Sequence, residues 1–278
     1  MSGRGGFSLV EMVIVLVLAG IVSTAAVSMF STQNELNASL TALGESQENA
    51  RSAVQVAAME LRSAARKSVV SARADRLVIR IPISVGVVCG APNASLTSVY
   101  FPLEGRTLDM RTDVDAYDVR SIYGTWSDPM RPRSSDGFNR GQSRQACIDA
   151  GAGAQGSDTD YASLRVGGAS VAIGSPVRLF REITYYFAAS TLDPARRAFY
   201  RARRTEAVEL ATGFSADTRF EFSLAGDTSW HAAVRTADLE RIDAIRVVAN
   251  VEGEGTSGVE TSSASFSLTR EIQLRNAQ

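Results

Sequence analysis

The sequence predicts an α+β protein, in which a long N-terminal helix packs on an antiparallel β-sheet head. Three observations lead to this prediction. An apolar run opens the chain, a helical stripe continues it without a proline, and short β-branched segments follow in the rest of the sequence. The 278 residues suffice for one large head or two small domains beside a membrane segment.

The apolar run extends from Phe7 to Phe30 and is broken by one charge, Glu11. At about 1.5 Å per residue, an apolar helix of this length crosses or nearly crosses a hydrocarbon core of roughly 30 Å. Arg4 lies before the run, so that end is expected to stay cytoplasmic while the head is exported. No convincing signal-peptidase site follows the run at residues 31–34. We therefore predict a transmembrane and assembly helix at residues 7–30.

Glu11 is the unusual feature of this run. A carboxylate in an apolar helix costs roughly 2.5–3.5 kcal/mol at the bilayer centre and less near the interface. Two interpretations follow: a functional carboxylate that needs a partner, or a side chain that reaches the headgroups. A plain signal anchor explains Arg4 and the apolar run, but it does not explain Glu11.

The segment Gly6-Phe7-Ser8-Leu9-Val10-Glu11, with the apolar helix after it, resembles the class III signal of type IV pilins and type II secretion pseudopilins. This resemblance implies a leader at residues 1–6 that prepilin peptidase removes between Gly6 and Phe7. The same enzyme would then methylate the new amine of Phe7. In a filament, Glu11 of one subunit would pair with the Phe7 amine of its neighbour. Because losing one partner of such a pair is costly, the pair would set the subunit register.

The helix is predicted to continue as an amphipathic segment at residues 31–70, from about Ser8 to Val69 in all. Steps of three and four residues mark its stripe: Leu36, Leu40, Leu43, Gln47, Ala50, Val54, Ala57, Leu61, Ala64 and Ser68. A coiled coil is the competing interpretation, but the stripe is too rich in alanine for a strong self-pairing seam. We expect the second half of the helix to pack on a sheet.

Residues 71–278 are predicted to form a β-rich periplasmic or extracellular head, with a polar loop insertion at about 104–160. Pro82 indicates an edge or a bend in the first strand. Strand character lies at residues 76–88, 99–103, 177–188, 197–201, 218–224, 241–251 and 264–274.

The head resembles, more loosely, that of larger minor pilins and J-type minor pseudopilins. The resemblance rests on Asn49–Ala53, Met59–Arg62, Tyr185–Phe187 and Leu274–Asn276. It implies a minor rather than a major subunit, because major subunits are generally smaller.

Cys89 and Cys147 are expected to form a disulfide after export to an oxidising compartment, with two free thiols as the alternative. In the chain-entropy description, closing a loop of this length stabilises the fold by about 4 kcal/mol. The bond would hold the polar insertion to the sheet.

Composition argues against catalysis. The formal net charge is -1, and the chain has two cysteines and one histidine, His231, for which no catalytic partner is evident in the sequence. We expect no enzyme activity and no cofactor. Six aspartates suggest calcium, but they lack a dedicated spacing, so a solvated surface and no metal are expected. They are Asp109, Asp113, Asp115, Asp118, Asp158 and Asp160.

A basic cluster could contact DNA, anionic glycans or a neighbouring subunit, although a solvated face is the favoured interpretation and nucleic-acid binding is not expected. Glu206 and Glu209 follow it directly. Its members are Arg196, Arg197, Arg201, Arg203 and Arg204.

The sequence therefore favours a minor pilin or pseudopilin that helps to initiate or cap a type IV pilus or a type II secretion filament; both machines use the same N-terminal device. A filament-tip module for adhesion or DNA uptake is the alternative, and a signal-anchored periplasmic protein is a distant one. The expected partners are prepilin peptidase, other pilin or pseudopilin subunits and an inner-membrane assembly platform. The expected location is the inner membrane, and then a filament at the cell surface or in the periplasm.

Overall fold

The computed structural model describes residues 9–90, 96–103, 107–138, 141–152, 156–165, 171–252 and 265–274. Within these ranges a 55-residue helix, α1 (Leu9–Ser63), precedes a 12-stranded sheet, and one short helix, α2 (Gln142–Asp149), lies beside that sheet. The predicted α+β class, with a long helix before an antiparallel sheet head, is confirmed. The cleavage residues Gly6 and Phe7 lie outside the described residues.

The strands follow one another along the chain as β1 (Val69–Ala72), β2 (Arg76–Gly90), β3 (Thr97–Tyr100), β4 (Ala116–Val119), β5 (Tyr161–Leu164), β6 (Pro176–Ala189), β7 (Arg197–Arg203), β8 (Glu206–Phe214), β9 (Arg219–Leu224), β10 (Trp230–His231), β11 (Ile242–Glu252) and β12 (Ser265–Gln273).

All strand pairings in the described sheet are antiparallel. The main order is β10-β9-β11-β8-β7-β6-β2-β3-β5, while β1 also pairs with β2, β4 with β6 and β12 with β11. The long pairing of β2 with β6 forms the spine of the head. Pro82 lies in that pairing next to a register shift, and it falls between the parts of β2 that pair with β1 and β3. The sequence predicts an edge or a bend at this position, and the structure has an irregularity of the β2–β6 pairing beside Pro82.

The C-terminal part of α1 covers one face of the sheet with small side chains. Its buried residues are Ala50, Ala53, Val54, Ala57, Ala58 and Leu61. They join one hydrophobic core with residues of the sheet such as Ile183, Tyr185, Phe199 and Val247. Because alanine ends at Cβ, this face allows the helix backbone to approach the strands closely, and Leu61 supplies the largest side chain of the contact.

The predicted end of this helix was wrong. α1 ends at Ser63 rather than near Val69, and a short 3-10 turn leads into β1. The stripe continues past this end, because Ala64 and Ser68 are buried although they are no longer α-helical. The β-branched Val69 and its neighbours pair instead with β2.

The polar insertion predicted at residues 104–160 is more ordered than a loop. β4 pairs with β6, and α2 packs near β2 and β3. The insertion contributes Met110, Val114 and Tyr117 to a second core beside Val99 and Phe101. All four residues of β4 are buried, so the strand has no alternation of apolar and polar residues that the sequence could reveal.

The head should fold without the first half of α1. Of the described residues 9–49, none is buried, so a chain that starts at Gln33 keeps the whole core. We expect the thermal midpoint of fragment 33–278 to lie within about 2 °C of that of the full chain in detergent. A fragment that is unfolded, or that melts much earlier, would show that the exposed half supports the head.

Candidate functional site: the exposed helix and its anchor

The first half of α1 is an apolar surface that nothing else in the described chain covers. α1 is the one described helix that is long and apolar enough to cross a membrane, and its most apolar window contains no buried residue. Leu9, Leu16 and Val27 are examples, exposed by 80%, 69% and 70%. A stretch of this size has to be covered by lipid or by other proteins.

Glu11 lies in the first turn of α1. A carboxylate at this end of a helix interacts favourably with the helix dipole. The helix is already formed at Leu9, two residues after Phe7. The carboxylate and the predicted new N-terminus are thus four residues apart in sequence, about one helical turn if the helix extends to Phe7.

The buried half of α1 is anchored to the sheet by a charged contact at Glu60. Arg201 of β7 holds this carboxylate with two parallel hydrogen bonds, Nε to Oε2 at 3.0 Å and Nη2 to Oε1 at 2.9 Å. The Tyr185 hydroxyl of β6 also donates to Oε2. Burial, followed by the hydrogen bond to Glu60, raises the pKa of Tyr185 well above its usual range. This contact ties the helix to two strands through groups 125 and 141 residues away.

The structure has the predicted disulfide between Cys89, at the end of β2, and Cys147 of α2. Both cysteines are buried, and they pack with Tyr161 and Tyr100. The neighbouring Gly90 is required here, since a Cβ at this position would lie 2.5 Å from the Ala146 carbonyl oxygen. The bond therefore holds the insertion against the spine of the head, as the sequence predicts.

The basic cluster predicted from residues 196–204 is not a free cationic surface. Each of its arginines has a partner within the chain. Arg201 binds Glu60, Arg204 Nε lies 2.7 Å from Asp115 Oδ1, and Arg203 is within 3.6 Å of the same carboxylate. The other two members contact Asp193 and the Ala216 carbonyl. These contacts support a structural role for the cluster rather than nucleic-acid binding.

The six aspartates are also dispersed into structural contacts. In the described part of the chain, no group of three or more His, Cys, Asp or Glu side chains is placed to hold a metal ion. Asp118 is the most buried case: its carboxylate accepts from Arg178 Nε at 3.0 Å, and that guanidinium lies 3.5 Å over the Trp126 ring. Burial raises the pKa of Asp118 even though Arg178 acts to lower it.

His231 has a partner that the sequence analysis missed. Its Nε2 lies 2.8 Å from Asp227 Oδ2, and the Ser229 hydroxyl donates to the other oxygen of Asp227 at 2.6 Å. Hydrogen bonds from Ser229 lower the pKa of Asp227. Because Ser229 donates to the carboxylate, the three groups close the turn between β9 and β10 rather than form a relay through the imidazole.

Removing the Glu60 charge should loosen the helix from the sheet. We expect Glu60→Gln to lower the free energy of unfolding of fragment 33–278 by about 2 kcal/mol, because Arg201 and Tyr185 lose an ionised acceptor. Glu48→Gln is the matched control, an exposed residue of the same helix, and should change little. Denaturant unfolding measures both, and equal effects would contradict the anchor.

Alkaline pH should destabilise the head through its buried tyrosines. The pKa of Tyr185 and that of Tyr117 are both raised above 10.0 in the fold, so the unfolded chain releases protons that the folded chain retains. The contribution of these tyrosines to the free energy of unfolding is therefore fully present below about pH 10 and is lost as the pH rises beyond it. In unfolding experiments as a function of pH, Tyr185→Phe should reduce this fall, whereas the exposed Tyr123→Phe should not. If the free energy of unfolding fell equally steeply with pH in both variants, Tyr185 would be excluded as a source of the alkaline destabilisation.

Comparison with known proteins adds one finding. Residues 1–27 of the 278 match a family model described as the prokaryotic N-terminal methylation motif. No curated protein and no solved structure matches the chain. The motif and the exposed apolar helix together support a type IV pilin-like precursor that is anchored in the inner membrane, processed by prepilin peptidase and assembled with other pilins.

Proposed function

We propose that this chain is a minor pilin or pseudopilin subunit that helps to initiate or cap a type IV pilus or a type II secretion filament, and that it is not an enzyme. The observation that carries the proposal is the division of α1. Its first half is apolar and uncovered, while its last four turns are buried in the head and anchored through Glu60. The first half of such a helix can pass from a membrane into a stack of subunit helices while the structure of the head stays the same.

The assembly step follows from the chemistry of the N-terminus. Cleavage between Gly6 and Phe7 would create an ammonium group, and Glu11 would supply the opposite charge to a neighbouring subunit. In the apolar interior of a filament, each charge is tolerated only when it is paired. The pair thus specifies the axial position of one subunit against the next, while the apolar side chains along Leu9–Phe30 add van der Waals packing between subunits.

The size of the head and its large insertion support the role of a minor subunit. It carries a disulfide-linked insertion with its own core, built on a sheet spine that α1 already covers on one face. The arginines that first suggested DNA binding hold the insertion and α1 in place. A tip module for DNA uptake therefore has no specific support from this cluster.

Assembly should depend on Glu11 more than on other acidic residues of α1. A photo-crosslinking amino acid at Val17 is expected to give adducts with other pilin-like subunits in cells. Glu11→Gln should strongly reduce these adducts, because the partner amine loses its counter-charge, whereas Glu45→Gln should not. Mass spectrometry identifies the adducts. Adducts with lipid alone, or an equal yield from both variants, would contradict the proposal.

The minor role has a separate readout. Quantitative mass spectrometry of filaments sheared from cells should find this chain well below the amount of the main subunit. A deletion strain should make fewer filaments, and the wild-type chain should restore their number. Abundance equal to the main subunit would identify a major pilin instead.

A further inference from the structure

A polar cleft opens on the face of the sheet opposite α1. Ile183 and Tyr185 of β6 point into the core beneath the helix. Because side chains alternate along a strand, Glu182 and Thr184 face the other side, where they form the floor of a cleft of about 580 Å³. This volume lies within the range of small-molecule sites.

Two segments of the insertion form the walls of this cleft. One segment contributes residues 110, 111, 114 and 115, the other contributes residues 131–134, and Arg204 of the β7–β8 turn completes the lining. Arg204 has a φ of 54°, a left-handed conformation that is uncommon for a residue with a side chain. Its guanidinium is held there by Asp115 Oδ1 and by the Val114 carbonyl.

The charge of the cleft differs in sign from that of the chain. Its described lining has four arginines and two carboxylates, whereas the whole chain has a net charge of -1. Both carboxylates are near cations of the chain: Asp115 accepts from Arg204 and from the Glu182 backbone N–H, and the Glu182 carboxylate lies 3.6 Å from Arg80 Nε as an ion pair. The cations of the lining are Arg111, Arg131, Arg133 and Arg204.

Three of these arginines make no ion pair in the described chain. The guanidinium groups of Arg111, Arg131 and Arg133 are exposed, and no carboxylate of a described residue lies within 4 Å of them. The carboxylates of Asp109 and Asp136 accept instead from the backbone N–H groups of Arg111 and Arg133, at 2.6 and 2.8 Å. An unpaired guanidinium group can receive a planar or tetrahedral oxyanion, because its fork donates two parallel hydrogen bonds.

The other lining residues restrict the ligand further. None of the described lining residues is aromatic, so the cleft offers no surface on which a nucleobase or a sugar ring would stack. Met110 and Val114 contribute a small apolar strip, and the Thr184 hydroxyl adds a neutral donor or acceptor at the floor. A compact ligand with several charged oxygens fits these features better than an extended polymer.

We propose that this cleft binds a compact phosphate-class anion that carries two or more negative charges. The excess of guanidinium groups, which come from two segments of the insertion and from the β7–β8 turn, compensates the charge of the ligand. This site is independent of Glu11 and of the N-terminal motif, and it faces away from the helix that would enter a filament.

The test is isothermal titration of the full-length chain in a neutral detergent with pyrophosphate, at constant ionic strength. We expect one site per chain. Arg131→Gln with Arg133→Gln should weaken binding by about tenfold or more, since each lost guanidinium removes a charged hydrogen bond. The control is Arg62→Gln with Arg235→Gln, which makes the same change in net charge at exposed positions outside the cleft and should leave binding unchanged.

Three results would overturn the proposal. They are no binding of pyrophosphate by the wild-type chain, an equal loss in both double variants, and tighter binding of citrate, which would assign the cleft to carboxylates instead. Unchanged thermal midpoints show that the variants are folded. If the double variant does not fold, the single change Arg111→Gln in the other lining segment should still weaken binding, and wild-type affinity in that variant would refute the site.

Discussion

The structure depends on the close packing of one short alanine-rich segment of α1 against the sheet. Ala50, Ala53, Ala57 and Ala58 let the helix backbone approach the strands, and Leu61 fills the space at the end of the contact. Larger side chains at these positions would push the helix outward and separate Glu60 from Arg201 and Tyr185. The exposed half of α1 and the head are thus fixed relative to each other through the last four turns of the helix.

This constraint explains why the rest of α1 can be so apolar. Residues 9–49 contribute nothing buried to the head, so their sequence is free to meet the demands of a second environment. In our account that environment is first the lipid bilayer and then neighbouring subunits. The insertion packs mainly on a core of its own, separate from the core that α1 joins, so the head can be elaborated there without disturbing the helix.

Much of this architecture could be predicted from the sequence. The apolar run, the alanine stripe and seven of the strands have strong local patterns, and Cys89 and Cys147 were the only two cysteines available to pair. Five of the described strands were missed: β1, β4, β5, β8 and β10. β4 is buried on both faces and therefore has no alternating pattern. β8 contains Glu206 and Glu209, and these charges make its sequence resemble that of a loop. The end of α1 was misplaced because the stripe continues through a 3-10 turn.

The functional contacts outside the N-terminus were harder to foresee. Glu60, Tyr185 and Arg201 are far apart in the chain, and only the pairing of β6 with β7 brings the last two together beneath α1. Arg203 and Arg204 looked free because their acidic partners, Asp113 and Asp115, lie about 90 residues earlier in the chain, in the insertion. Long-range pairing of this kind leaves no local signal in one sequence.

The central claim is that the chain enters the prepilin pathway, and the most direct measurement is the intact mass and N-terminal sequence of the protein from its native membrane. We expect a chain that begins at Phe7 with a methylated amine, and an unprocessed chain when Gly6 is substituted. A mature chain that still begins at Met1 would contradict this claim, because Glu11 would then have no new amine to pair with and the helix would be a simple signal anchor.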